Sequence, residues 1–436
     1  MNVGFVSLGC SKNLIDTEMA IGLFKHNNYT IVNNVEKAEI IVINTCGFIE
    51  AAKEEAINTI LEMAEYKVKG TCKYLVVMGC LVQRYKKELS KALPEVDLFL
   101  SIDEYKNFWD NIEKLVKDKK ETTFEQMDYL NRVITTGEKT TYLKIAEGCS
   151  NRCTYCAIPY IRGPYISRLF EDIITEAKGL AKKGYQEIIV IAQDTTKYGV
   201  DLYGKARLAE LLSELAKIKE FKWIRFLYAY PESITDELIE VVKNNKNICP
   251  YFDIPIQHIS NKVLKRMNRR ITGEKIESLI EKIKLEIPNA ILRTSLIVGF
   301  PGETQEDFEK LTKFVAKAKF DKLGVFTYSK EDGTPAAKLP EQIHYKTKQK
   351  RYNHIMEIAR KASKENLQKH VGKIFEVLIE SKTFDGKYYI GRTYMDIPNE
   401  DGVVFVKNTN ANLENTWVKC KITDVREYDL IGEIVK

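Results

Sequence analysis

Three cysteines within eight positions set the chemistry this sequence could perform. They stand in Gly148-Cys149-Ser150-Asn151-Arg152-Cys153-Thr154-Tyr155-Cys156. Thiolates spaced by three and then two residues can bind three irons of a cubane cluster from one loop. The fourth iron then stays open for a substrate ligand. Zinc is the competing reading. It wants four ligands, and no cysteine or histidine lies near enough in the chain to complete the site locally.

A second set is dispersed. Val6-Ser7-Leu8-Gly9-Cys10, Val42-Ile43-Asn44-Thr45-Cys46 and Val77-Met78-Gly79-Cys80 are three β-type runs that each end in cysteine, 36 and 34 residues apart. Taken singly they would be inert core thiols. Parallel strands, however, place their C-terminal ends on one edge of an open sheet, where ligands bind. Cys10, Cys46 and Cys80 should therefore converge on a second cluster, again with one iron free. Cys72, Cys249 and Cys420 have no such company and read as spectators. Nine cysteines, an odd number spread along a long chain, do not form a disulfide framework pattern.

The elements needed to position these thiols are visible in the hydrophobic patterning. Up to about residue 138, β-rich runs at Val3–Leu8, Glu39–Asn44 and Tyr74–Met78 alternate with helical patterns at Ile15–Lys25 and Ala51–Tyr66. That alternation implies an open parallel α/β domain. Asp110 to Thr141, with Lys117-Asp118-Lys119-Lys120-Glu121 at its centre, reads as a surface helix running into a linker. From 139 to 370 six strands are expected: Tyr142–Glu147, Glu187–Ala192, Trp223–Tyr228, Tyr251–Ile256, Ile291–Val298 and Lys322–Tyr328. Helical patterns such as Phe170–Lys183, Ala206–Lys219 and Thr304–Ala318 separate them, the last with Thr304 as its cap. Six βα units fit an incomplete TIM-like barrel with function at the C-terminal strand ends, which is where the Cys149 loop falls. From 371 to 436 five short strands, Ile374–Ser381, Lys387–Arg392, Gly402–Val406, Thr416–Thr423 and Asp429–Val435, suggest a five-stranded antiparallel β-barrel of the oligonucleotide-binding kind.

The 436 residues are 44% hydrophobic and 29% charged, which supplies buried cores and argues against wholesale disorder. No apolar run approaches the roughly 18 residues needed to cross a bilayer. Met1 leads straight into a strand-like run, so no signal peptide is expected and a cytoplasmic location follows. Net charge is +6, from 67 basic and 61 acidic residues. Lys338 to His370 carries 9 basic residues against 3 acidic, which reads as a solvated helix face or as a patch for an anionic partner. Val371 to Lys436 carries 9 basic and 11 acidic residues. Its acids, among them Asp396, Glu400, Asp401, Asp424 and Glu427, are expected to steer a cationic partner.

The CxxxCxxC spacing, with the aromatic Tyr155 just before its third cysteine, resembles the radical S-adenosylmethionine superfamily. The resemblance implies that the open iron chelates S-adenosylmethionine, whose reductive cleavage yields a 5′-deoxyadenosyl radical that abstracts hydrogen. Tyr155, Gln193-Asp194 after strand two, Gln257-His258 after strand four, and Gly299 and Gly302 after strand five are then candidates to hold that cofactor. Each has a plainer alternative: the glycines make a turn, and His258 is a hydrogen-bonded core residue.

Over essentially its whole length the sequence is similar to the radical methylthiotransferases, which order a cluster domain, a radical barrel and a TRAM β-barrel. Ser7-Leu8-Gly9-Cys10-Ser11-Lys12-Asn13-Leu14, Asn44-Thr45-Cys46-Gly47-Phe48-Ile49-Glu50, Gln193-Asp194-Thr195-Thr196-Lys197-Tyr198-Gly199 and Asp201-Leu202-Tyr203-Gly204 look closest to the branch that modifies a ribosomal protein. The resemblance implies two [4Fe-4S] clusters, with methylthiolation of the β-carbon of an aspartate in small-subunit ribosomal protein twelve, free or on the ribosomal subunit. An electron donor such as flavodoxin or ferredoxin, a monomeric enzyme and no membrane partner complete that expectation. A sister branch acting on an adenosine next to the tRNA anticodon shares the same cysteines. The acidic C-terminal segment argues against it, because a barrel gripping phosphate should be basic. A non-catalytic iron–sulfur electron carrier is a further alternative, disfavoured by the barrel.

Overall fold

The computed structural model describes residues 1–117, 124–409 and 411–435. Its N-terminal sheet has five parallel strands in the spatial order Thr30–Ile31, Asn2–Ser7, Ile40–Thr45, Tyr74–Gly79, Leu98–Leu100. Ile40–Thr45 lies in the middle, and all six of its residues are buried, as expected of a parallel strand covered on both faces. The two edge strands are short and have little pattern, so only the three central ones were legible in advance. The helix Phe108–Val116 starts two residues before the stretch expected to be helical from Asp110 and runs into it. Asp118 to Glu121, in the middle of that charged stretch, lie outside the described residues.

The middle of the chain forms two three-stranded parallel sheets side by side. One orders Trp223–Phe226, Glu187–Ile191, Thr140–Lys144; the other orders Tyr251–Asp253, Ile291–Val298, Lys322–Thr327. A lone bridge from Ile224 to Ile248 and an edge-on contact between the Phe226 and Phe252 rings, 5.6 Å apart, join them. The outward residues Leu143, Ile188, Val190 and Phe226 pack under the flanking helices. The helix Gln305–Ala318 begins with the expected cap: Thr304 Oγ1 accepts from the Asp307 amide at 3.2 Å, and Asp307 returns a carboxylate to the Thr304 amide at 2.9 Å. The basic run is the helix Tyr345–Gln368, which buries Arg351, Ile355, Ala359 and Leu367 and leaves most of its lysines in water.

The C-terminal strands close into a barrel in the order Ile374–Lys382, Tyr388–Arg392, Val404–Lys407, Leu430–Ile434, Trp417–Val425. Four neighbouring pairs are antiparallel; Val404–Lys407 and Leu430–Ile434 are parallel. This corrects the all-antiparallel expectation for a topological reason. A ring with an odd number of strands cannot alternate direction all the way round.

This small barrel is not a free appendage. Its Met395 and Ile397 form one core with Ile15 and Met19 of the N-terminal helix and with Tyr142, Ile189, Leu227 and Tyr251, the inward residues of the middle barrel. Of the acids expected to steer a partner, the side chains of Asp396 and Asp401 are buried inside this contact and Glu400 pairs at its exposed rim. Asp396 pairs with Lys322 at 2.6 Å, Glu400 with Arg293 at 2.5 Å, and Asp401 accepts from Tyr251 Oη at 2.6 Å. Glu427 lies 3.5 Å from Arg360 on the basic helix. Of the five acids named, Asp424 alone makes no ion pair among the described residues. The junction thus takes up three of the five acids, because net charge counts acids without regard to where they point.

Glu187, Arg225 and Arg392 hold the same junction. Glu187 accepts from Arg225 Nε at 2.6 Å and from Arg392 Nη2 at 2.7 Å, and all three are buried. Burial alone would raise the Glu187 carboxyl, but Arg392 and Arg225 outweigh it and hold it down to about 2. Glu187→Ala strands two buried guanidinium groups and should cost about 3–5 kcal/mol, read as the urea midpoint. The pH dependence follows from the depressed value. The carboxylate's contribution is complete above its ordinary 4.5 and is lost as pH falls toward about 2, so the wild-type advantage over Glu187→Gln should narrow across that interval.

Candidate active site with two cysteine triads

The N-terminal triad is built by strand register. Ser7 pairs with Asn44 and Thr45 with Gly79, so the next few residues of all three strands emerge at one edge. Each cysteine has a glycine beside it, and the crowding explains why. A Cβ on Gly9 would sit 2.7 Å from Cys46 Cβ, and one on Gly47 2.7 Å from Leu81 Cα. Gly79 has φ +106°, and a Cβ there would press on Thr45 O at 2.6 Å. Asn13, in the first turn of Ser11–His26, stitches the edge together: Nδ2 donates to Leu8 O and Thr45 O at 3.1 Å, and its carbonyl accepts from Asn44 Nδ2 at 2.8 Å. Cys80 is buried, Cys46 half-buried and Cys10 exposed. Burial pushes the Cys80 thiol up to about 12 against the pull of Arg162, and Cys10 and Cys46 add to the rise.

The second triad lies on the loop that leaves Thr140–Lys144 and the short strand Ala146–Glu147. Gly148 has φ +70° and faces the Gly163 and Pro164 carbonyls, so only glycine lets the loop turn here. The loop is pinned from three sides. Asn151 Nδ2 donates to Asp194 Oδ2 at 2.7 Å, the Thr154 amide donates to Met267 O at 3.1 Å, and Asn268 Nδ2 donates to Arg152 O at 2.9 Å. Cys149 and Cys153 are buried and Cys156 half-buried. Burial pushes the Cys149 thiol up to about 11, with Cys153 contributing, and pushes Cys156 up as well, with Cys153 and Cys149 contributing.

All six thiols are free, and negative charge on a neighbouring cysteine raises the thiols of Cys46 and Cys80 in the first triad and of Cys149 and Cys156 in the second, as like charges held close together should. Metal binding would relieve this by drawing the protons off. Among the described residues no three His, Cys, Asp or Glu side chains converge tightly enough to share one metal ion. Three thiols suit a cluster, where each thiolate takes its own iron and one iron stays open, better than zinc, which wants four ligands on one ion.

The other strand-end candidates divide. Gln193 and Gln257 are half-buried, and their side-chain amides make no hydrogen bond among the described residues. Gln257 also holds φ 66°, an uncommon conformation for a non-glycine residue and one that gathers at functional sites. Asp194 is buried, which raises its carboxyl, and is tied to Thr196 and to Asn151 of the cysteine loop. Tyr155 packs against Val263, Met267, Phe300 and Tyr328. His258 is fully buried; Nδ1 accepts from the Ser260 amide at 3.0 Å, and Nε2 lies 3.7 Å from Glu303 Oε1. Gly299 and Gly302, φ 72° and 79°, shape the turn whose amides at Gly299 and Phe300 donate to Glu303 Oε2. The turn accounts for both glycines.

The two triads are joined across the domain boundary, which the spacing of cysteines did not foretell. Asp16 accepts from Lys144 Nζ and from Arg162 Nη1, both at 2.7 Å. Arg162 Nη2 donates to Asn13 Oδ1 at 2.5 Å and stands 3.4 Å from Cys80 Sγ. A signal was present in the sequence. Lys12, Asn13, Asp16 and Glu18 interrupt the apolar pattern of the first helix, and all four are buried between the domains.

Family models match three successive parts of the chain: an uncharacterized protein family, UPF0004, over residues 2–101, the radical SAM superfamily over 143–315 and the TRAM domain over 371–435. A protein of Alkaliphilus oremlandii named ribosomal protein uS12 methylthiotransferase RimO is 65% identical over 435 residues, covering 100% of this chain and 99% of its own. The chain belongs to the uS12 methylthiotransferase family. Members from Clostridioides difficile and Acetivibrio thermocellus, with the same name, are 50% and 48% identical over 445 residues each, covering 100% and 99% of this chain and 99% and 98% of their own. Among solved structures, the radical S-adenosylmethionine methyltransferase TsrM from Kitasatospora setae, with cobalamin and a [4Fe-4S] cluster bound, aligns at TM-score 0.59 and 12% identity, covering 77% of this chain and 76% of its own. The cobalamin-dependent radical enzyme OxsB, with S-adenosylmethionine bound, aligns at 0.52 and 14%, covering 82% and 56%. At those identities they show the shared fold alone. The family is one of radical S-adenosylmethionine transferases, and no helix among the described residues of this member is long and apolar enough to cross a membrane.

Proposed function

We propose that this chain methylthiolates the β-carbon of an aspartate in ribosomal protein uS12, with two [4Fe-4S] clusters and S-adenosylmethionine as cofactors. Cys149, Cys153 and Cys156 hold one cluster; Cys10, Cys46 and Cys80 hold the other. When bound, these groups supply a 5′-deoxyadenosyl radical for hydrogen abstraction and the sulfur and methyl group to be added. The observation that carries the reading is two free thiol triads at the ends of parallel strands, linked through Asn13, Asp16 and Arg162. The half-buried amides of Gln193 and Gln257 are free to orient S-adenosylmethionine at the strand ends, while Asp194 keeps the cysteine loop in register with strand two. Tyr155 packs against Phe300 in the turn of Gly299 and Gly302, so the cysteine loop meets the end of strand five there, with His258 buried behind Glu303. Residues 1–138, 139–370 and 371–436 act as cluster domain, radical barrel and TRAM barrel. The enzyme works as a monomer in the cytoplasm, reduced by a donor such as flavodoxin or ferredoxin.

A tRNA adenosine is the second substrate the shared cysteines allow, and the names of the 65%, 50% and 48% identical relatives do not favour it. Anaerobic incubation of the reconstituted enzyme with uS12 and, separately, with tRNA distinguishes the two. Mass spectrometry should find one methylthio group on a uS12 aspartate and none on RNA. A methylthio group on tRNA with unmodified uS12 would reverse the assignment.

A further inference from the structure

Arg162 belongs to neither triad, yet it touches the machinery of both. It follows the short helix Ile158–Ile161, which continues directly from the Cys149–Cys156 loop, and it is 6% exposed. Nη1 donates to Asp16 at 2.7 Å and to both oxygens of Glu147 at 3.3 Å, the residue just before Gly148. Nη2 serves the other domain, at Asn13 Oδ1 and, 3.4 Å away, at Cys80 Sγ. The charges of Arg162 and Lys144 face those of Asp16 and Glu147, so the local group is balanced. What reaches the sulfur is therefore a directed N–H rather than a surplus of charge. A planar guanidinium has its donors in a fixed fork; lysine cannot hold Asp16, Asn13 and the sulfur at once.

We propose that Arg162 is a positioning residue that makes the N-terminal cluster easier to reduce. Reduction adds electron density to the cluster and its thiolate sulfurs, and an N–H aimed at a ligand sulfur stabilises that density. Because the donor comes from the radical barrel and its acceptor from the N-terminal domain, the bond exists only when the two are docked. The electron affinity of one cluster is thus tied to the placement of the other. This rests on the reading that Cys10, Cys46 and Cys80 hold a cluster.

The test uses the full-length protein with Cys149, Cys153 and Cys156 changed to alanine, reconstituted with iron and sulfide. Its cluster is titrated with dithionite and followed by electron paramagnetic resonance. Adding Arg162→Gln should move the midpoint to a more negative potential and alter the spectrum of the reduced cluster. Arg162→Lys keeps the charge and loses the fork, so it should shift in the same direction; it also carries the test should the glutamine variant not fold. Asp16→Asn weakens the anchor and spares the donor, so its shift should be smaller. Unchanged midpoints in the folded Arg162 variants, or an equal shift in Asp16→Asn, would overturn the proposal. A parent protein with no cluster signal would instead overturn the assignment of the N-terminal triad.

Discussion

Replacing Cys149, Cys153 and Cys156 together by alanine should reduce 5′-deoxyadenosine formation to the level seen without enzyme, while about half of the reconstituted iron remains. The expectation follows from geometry. The three thiols share one loop, anchored through Asn151 to Asp194 at the end of the second barrel strand. The N-terminal triad sits on a separate sheet with its own supports, so it should still load. The measurement is deoxyadenosine by chromatography after dithionite reduction, beside iron per chain. Persisting deoxyadenosine would place radical generation elsewhere, and loss of all iron would mean that the triads do not load independently.

The complementary variant, with Cys10, Cys46 and Cys80 changed to alanine, should separate the two chemistries. Deoxyadenosine should still form at close to the wild-type rate, whereas methylthiolated uS12 should disappear from the mass spectrum. Truncating Cys80 removes sulfur from a buried site beside Asn13 and Arg162, so some loss of stability is expected, on the order of 1–3 kcal/mol. That loss is too small to unfold the domain, and circular dichroism should confirm it. Full product formation at full iron content would make these ordinary core thiols.

Much of the site was legible because its signals are local. Cys149, Cys153 and Cys156 declare themselves by spacing along one loop. Cys10, Cys46 and Cys80 do so by recurring at strand ends, and the central strand Ile40–Thr45 shows as a continuous hydrophobic run of the kind a buried parallel strand carries. The capping pair Thr304 and Asp307 was readable for the same reason, since both partners lie within one helical turn. The short edge strands Thr30–Ile31 and Leu98–Leu100 were not, because two or three residues carry no period to detect.

By itself the sequence determined the thiols, the order of the three folding units and the parallel sheets, since each depends on residues close in the chain or on repeating apolar patterns. Tertiary structure decided everything that depends on which charge meets which. Asp396, Glu400 and Asp401 look like a solvated acidic surface until Lys322, Arg293 and Tyr251 are found opposite them, more than 70 positions away. Arg162 is one basic residue among 67 until folding brings it to Asp16, Asn13 and Cys80. A buried ion is tolerable only with its partner in place, and that partner is chosen by the packing of whole domains, which no local pattern encodes.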